Sequence, residues 1–158
     1  VNAAVGAQDG TGYLNVPNNS RYVEADDALA ASSLLSHVEL DIAAQVPVEI
    51  TTLDSLSLEH GLIPDLVKLD LQGYELAALK GATSILGKTD VFVVEFGCLD
   101  AYLGRTSPGD LLEFMYDHGY RLYDIVDLSY RPYDGALLGG DFFFIRTASK
   151  LAEHQGFF

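Results

Sequence analysis

Five polar side chains fall where chemistry is most often done in a protein of alternating strands and helices. Lys68, Asp70, Gln72 and Glu75 lie in the run Leu66-Val-Lys-Leu-Asp-Leu-Gln-Gly-Tyr-Glu75, and Glu95 lies in Val91-Phe-Val-Val-Glu-Phe96. The first run is an apolar strand that ends on an acid, turns through Gln72-Gly73 and opens into a helix at Glu75. Turns of this kind sit at the carboxyl edge of a parallel sheet, where such proteins bind ligands. An acid there can accept a hydrogen bond or a proton from a hydroxyl; its plainer role is to cap the next helix. Lys68 shares a strand face with Asp70. A lysine in a buried strand needs a partner, and Asp70 or Glu95 on the adjacent strand is the natural choice. Glu95 occupies the equivalent place on its own strand. Glu75, in the first helical turn, either favours the helix dipole or reaches a substrate. Gln72 and Gly73 shape the turn, glycine supplying backbone freedom.

The elements that must hold these residues alternate. Val1–Val5 reads as a short strand, Gln8–Gly12 as a turn and Tyr13–Val16 as a returning strand. Residues 17–45 read as irregular, with an acidic patch at Glu24, Asp26 and Asp27. Val46-Pro-Val-Glu-Ile50 alternates but contains proline, which predicts an edge strand. Thr52 caps a helix over Leu53–His60, stopped by Gly61. Leu66–Leu71 reads as a buried strand and Tyr74–Leu86 as a helix with Leu76, Leu79, Thr83 and Leu86 on one face. Val91–Phe96 is apolar enough to be covered on both faces. Ser107-Pro-Gly-Asp110 opens a helix that stops at Gly119. Tyr120–Val126 and Asp141–Arg146 are the last strands, separated by a long loop around Arg131–Gly135, and long loops are often functional. Tyr102, Arg105, Tyr130, Arg131 and Tyr133 would overhang the carboxyl edge, either to recognise a sugar or polyketide there or, as is commoner, as ordinary surface residues. The alternation predicts an α/β fold.

Composition bounds the partners. With 158 residues, residues 1–158 make one domain, and 49% hydrophobic against 20% charged residues marks it as globular. A net charge of −14 with scattered cations excludes nucleic acid as a partner. No apolar run approaches the roughly 20 residues of a membrane span, and the start of the chain lacks a basic segment followed by an apolar core, so a cytoplasmic protein without membrane contact is expected. The single Cys98 cannot form an internal disulfide. His37, His60, His118 and His154 lack ligand spacing, so no metal is expected.

The block Lys68-x-Asp70-x-Gln72-Gly73-x-Glu75, followed by Leu79-Lys-Gly-Ala82 and Val94-Glu95, resembles the K-x-D-x-[EQ]-G-x-E…L-K-G-A signature of the FkbM family of S-adenosylmethionine-dependent methyltransferases. Asn2-Ala-Ala-Val-Gly-Ala-Gln-Asp-Gly10 is similar to that family's third strand and turn. Ser32-Ser33-Leu34 matches a recurrent serine pair, and Ile50-Thr-Thr-Leu-Asp54 a T-L-D segment. The resemblance implies a class I methyltransferase-like (Rossmann-like) sheet, mostly parallel, with strand order 3-2-1-4-5-7-6 and a C-terminal antiparallel hairpin. It implies S-adenosylmethionine as cofactor and methyl transfer to a hydroxyl oxygen of a small molecule, sugar or secondary metabolite. Asp70, Lys68 and Glu95 would be catalytic, and Gln72, Glu75 and Arg105 would meet the substrate.

The family's glycine-rich first strand-loop-helix and the acid after its second strand hold the methionine and ribose moieties, and neither has a counterpart in this sequence. The chain therefore reads as the C-terminal portion of the domain, with the N-terminal strands missing. Leu66–Leu71 would then be an apolar sheet edge ready to pair, with a second copy of the chain for example. The alternative reading is a non-catalytic fragment or interaction module that has lost the cofactor-binding half.

Overall fold

The computed structural model describes residues 2–18, 32–39 and 41–154; the acidic patch at Glu24, Asp26 and Asp27 lies outside them. Two mixed sheets make an α/β arrangement. The first contains β1 (Ala4–Val5), β2 (Gly10–Pro17) and β3 (Ile42–Thr51) in the order β1-β3-β2. Helix α1 (Leu53–His60) leads to the second sheet, whose strands β4 (Leu66–Leu69), β5 (Val91–Gly97), β6 (Tyr120–Tyr130) and β7 (Leu137–Arg146) lie in the order β4-β5-β7-β6. Helix α2 (Glu75–Lys80) joins β4 to β5, and α3 (Pro108–Asp117) joins β5 to β6.

The expectation of a mostly parallel sheet is not met among the described residues. β1 pairs parallel with β3, and β4 with β5, but β2–β3, β5–β7 and β6–β7 are antiparallel. β2 and β3, consecutive strands in the chain, lie side by side antiparallel, and β6 turns directly back into β7 as the expected hairpin. The proline strand is also central rather than at an edge. β1 reaches only Ile50 and Thr51 of β3, so at Pro47 one side of β3 has no partner and the missing N–H is tolerated.

Capping chemistry sets the helix starts. Thr52 Oγ1 accepts from Ser55 N (2.9 Å), and Gly61 ends α1 at φ 63°. Ser107 and Asp110 form a reciprocal capping box with Pro108 in the first turn. The helix expected over 74–86 is much shorter. It stops at Gly81, where a Cβ would run into the carbonyl oxygen of Gly6, and the chain continues in turns. The Asp54 carboxylate holds those turns, accepting from Thr83 Oγ1 (2.6 Å), Ser84 N (2.7 Å) and Ser84 Oγ (2.6 Å).

The long loop after residue 126 is instead mostly strand. β6 extends to Tyr130 through register shifts near Asp127, which takes φ 51°. Only the turn 131–136 remains, closed by the Arg131–Asp134 ion pair (2.5 Å). The larger core cluster lies on one face of the second sheet, and a smaller one of Val91, Val93, Ile145 and Ala152 is separate from it. Phe92, Val94 and Phe96 of β5 and Phe142 and Phe144 of β7 pack with Ala78 and Leu79 of α2 and with Leu111 and Met115 of α3. The Phe96 and Phe142 rings stack at 3.9 Å and 11°. Each such side chain contributes roughly 1.5–3 kcal/mol by burial. β4 is an edge, and its residues alternate between exposed and buried.

Candidate functional site

Parallel pairing of β4 with β5 runs from Leu66 opposite Val91 to Leu69 opposite Val94. The next residues, Asp70 and Glu95, therefore emerge side by side at the carboxyl ends. The Gln72 amide links them: its Nε2 donates to Asp70 Oδ1 at 2.9 Å and to Glu95 Oε2 at 3.3 Å. Tyr102 Oη donates to Gln72 Oε1 at 3.0 Å. The turn that places Gln72 is tight, with φ 53° at Gln72 and 97° at Gly73. Ser33 Oγ donates to the Gln72 carbonyl (3.0 Å) and fixes the turn from outside.

These groups line a cleft of about 410 Å³ that also receives Lys68, Arg105, His37, Asp127 and Asp141. Five of the six residues singled out in the sequence are thus gathered in one place: Lys68, Asp70, Gln72, Glu95 and Arg105. Glu75 is not among the lining residues. It is 2% exposed, and its Oε1 accepts from Leu71 N (2.9 Å) and Gly73 N (3.1 Å), so it builds the turn from within. Burial raises its pKa against the opposing effect of those backbone bonds.

Lys68 is half-exposed, because β4 is an edge. Its main partner is neither Asp70 nor Glu95: Nζ is 2.7 Å from Asp141 Oδ2 and 3.9 Å from Asp70 Oδ2. The hydrogen bond with Asp141 raises the Lys68 pKa. Asp141 is buried and stands opposite Glu95 in the β5–β7 register. Its one sequence signal was that it opens the apolar strand Asp141-Phe-Phe-Phe; the expected antiparallel hairpin is present, but the long loop expected before Asp141 hid its register.

Arg105 lies in the loop before α3. Its Nη1 donates to Leu99 O (2.8 Å), and its guanidinium lies directly over Gly97, where any Cβ would collide with it. Tyr102 and His37 are brought together by backbone clasps: Val38 N donates to Ala101 O, and Leu103 N to Ser36 O, both at 2.8 Å. The His37 ring meets the Tyr102 ring edge-on at 5.1 Å, and its Nδ1 accepts from Glu39 N (3.0 Å). Burial lowers the His37 pKa. Tyr130, Arg131 and Tyr133 do not line the cleft; Tyr133 is 91% exposed.

Electrostatics single out Glu95. Burial, then the charges of Asp70 and Glu75, push its pKa from 4.5 up to about 7, against the pull of Arg105. Burial and then Glu95 push Tyr102 up to about 12, so its phenol stays a donor. The arrangement can accept a proton near neutrality and orient a hydroxyl beside it. Among the described residues, no three His, Cys, Asp or Glu side chains are placed to hold a metal ion. Among the described residues, no helix is long and apolar enough to cross a membrane.

The methyltransferase FkbM domain model matches residues 1–122. The chain belongs to the FkbM methyltransferase family. No curated protein and no solved structure matches it. The FkbM match spans all six singled-out residues, whereas Asp127 and Asp141 lie beyond it. Membership supports a methyltransferase function in general terms.

Proposed function

We propose that this chain supplies the acceptor side of an S-adenosylmethionine-dependent O-methyltransferase site, acting on a hydroxyl of a small molecule, sugar or secondary metabolite. The observation that carries this reading is the Asp70–Gln72–Glu95 cluster at the ends of two parallel strands, facing a polar cleft. Methyl transfer to oxygen depends mostly on holding the acceptor in line, helped by a group that takes its proton. Asp70 and Glu95 offer the acceptors, Lys68 sets the charge beside Asp70, and Gln72 and Arg105 are polar groups at the substrate's edge. The order β4-β5-β7-β6, with β4 and β5 parallel and β7 reversed, favours a class I, Rossmann-like sheet. The exposed free thiol of Cys98 suits a reducing compartment, and we place the protein in the cytoplasm.

The described residues do not by themselves fit the methyl donor. A cavity of about 290 Å³ opens beside β1 and β4 and shares Asp70 with the cleft. No glycine-rich turn opens a helix beside it: Gly10 and Gly12 lie in β2, and Gly139 and Gly140 in β7. The donor's site therefore draws on groups beyond the described residues. Titration of the 158-residue chain with S-adenosylmethionine should show no micromolar binding; a micromolar dissociation constant would overturn this assignment. In a polypeptide that carries a glycine-rich strand-loop-helix ahead of Val1, Asp70→Asn should lower turnover by about 10²–10⁴ with donor affinity kept. Near-normal turnover would reduce Asp70 to a structural group.

A second reading is an interaction module that pairs through the open edge of β4 with another copy of the chain. It is favoured by the edge position of β4 and by Leu66, which that strand leaves exposed.

A further inference from the structure

The geometry points to Gln72 as the positioning residue of this site: locked by Tyr102, its amide holds Asp70 and Glu95 together as one coupled pair of proton acceptors. The purpose of the pair rests on the acceptor-site reading above; the coupling itself does not.

Both ends of Gln72 are fixed. Its backbone sits in the left-handed region, uncommon for a residue with a side chain, and its carbonyl is held by Ser33. At the tip, Tyr102 keeps its proton and donates it to Oε1. That leaves Nε2, with its two N–H groups, as the only part of the amide that can face the carboxylates. The reversed amide would set an oxygen against Asp70 and Glu95 and a nitrogen against a phenol donor. The orientation is thus dictated by the network rather than chosen. Donation is closer to Asp70 (2.9 Å) than to Glu95 (3.3 Å), so the amide leans toward the first and spans to the second.

The span opposes a repulsion. Glu95 faces Asp70 from the turn after β4, Glu75 from α2 and Asp141 from β7, while Arg105 from the loop before α3 pulls the other way. Lys68 is turned to Asp141, and His37 and Asp127 complete the titratable lining of the cleft. An N–H donor aimed at the Glu95 carboxylate favours its charged form. Remove it and burial and repulsion act unopposed, so a proton should be held on Glu95 to higher pH. An acceptor hydroxyl entering the cleft would then meet a protonated acid instead of a base.

The test is a titration of ¹³C-labelled glutamate carboxyls in the 158-residue chain by NMR, with the Glu95 resonance assigned through Glu95→Gln. Gln72→Leu removes the donors while keeping a side chain of similar length. It should move the Glu95 midpoint upward by roughly half to one pH step. Tyr102→Phe keeps the ring, frees the amide to reverse and should move the midpoint upward by less. An unchanged midpoint in a folded Gln72→Leu chain overturns the proposal. If that variant does not fold, Tyr102→Phe decides alone, and an unmoved midpoint there overturns it equally. Neither measurement uses a methyl donor or acceptor, so failure of the methyltransfer reading and failure of the coupling are seen separately.

Discussion

Glu95→Gln should make this protein more stable at pH 8 and leave its stability near pH 4 almost unchanged. Glu95 is an acid held in a place that disfavours its charge, by burial first and then by Asp70 and Glu75. Its pKa rises from 4.5 to about 7 on folding. A carboxyl whose folded pKa is raised contributes its full stability below the unfolded value. It loses that contribution as pH climbs through the folded value. The window is therefore about pH 4.5 to 7, with stability falling as pH rises. At about 1.4 kcal/mol for each tenfold change in proton affinity, the full rise corresponds to ~3.4 kcal/mol. Glu95 keeps part of its side chain in solvent, so screening reduces this to about 1–2 kcal/mol. Glutamine keeps the shape and an oxygen for the Gln72 amide but carries no charge to desolvate. Urea denaturation at pH 8 should thus show a gain of about 1–2 kcal/mol, or about 2–8 °C in melting temperature for a chain of this size. At pH 4, where the carboxyl is protonated in both states, the two curves should nearly coincide. A variant less stable at pH 8, or shifted equally at both pH values, would refute the reasoning and make Glu95 an ordinary structural acid.

Two further outcomes are expected. Glu75→Ala strips the acceptor from the N–H groups of Leu71 and Gly73 and should cost about 2–4 kcal/mol in denaturant unfolding; Glu75→Gln, which keeps the oxygen, should cost less than about 1 kcal/mol, and equal losses would mean that the charge rather than the acceptor matters. If the open β4 edge pairs two copies, Leu66→Lys should lower the apparent mass in sedimentation toward that of one chain, and a wild-type chain that already sediments as a monomer would remove that reading.

The parts of this fold legible in the sequence are those set by neighbours a few residues apart. Thr52 and Gly61 bracket α1, and Ser107 with Asp110 opens α3, because a cap needs only its own turn. The strand–turn–helix around Asp70 was legible for the same reason, and with it the placement of Asp70 beside Glu95 through parallel β4 and β5. What escaped depends on distant chain. The pattern of Leu76, Leu79, Thr83 and Leu86 is helical, yet the helix ends at Gly81 because the Gly6 backbone lies against it. Pro47 reads as an edge signal, and only the shortness of β1 lets it sit in a central strand. Gly135, Gly139 and Gly140 look like loop, but the last two run inside β7.

That last misreading also hid half of the site. Once β7 is a strand from Leu137, its register against β5 sets Asp141 opposite Glu95, where it takes Lys68 as partner. Lys68 is then a bridge between two edges of the cleft rather than a private partner of Asp70. The consequence is a division of labour among the acids. Asp141 is neutralised by a lysine at 2.7 Å, and Glu75 is used up by backbone N–H groups. Only Asp70 and Glu95 remain joined through an amide that both can share. An amide, unlike a lysine, adds no positive charge to the pair, which is what the acceptor-site proposal above would need of it. The family block supplies Asp70, Gln72 and Glu95, while β7, beyond residue 122, supplies Asp141, the nearer of the two carboxylates that Lys68 meets.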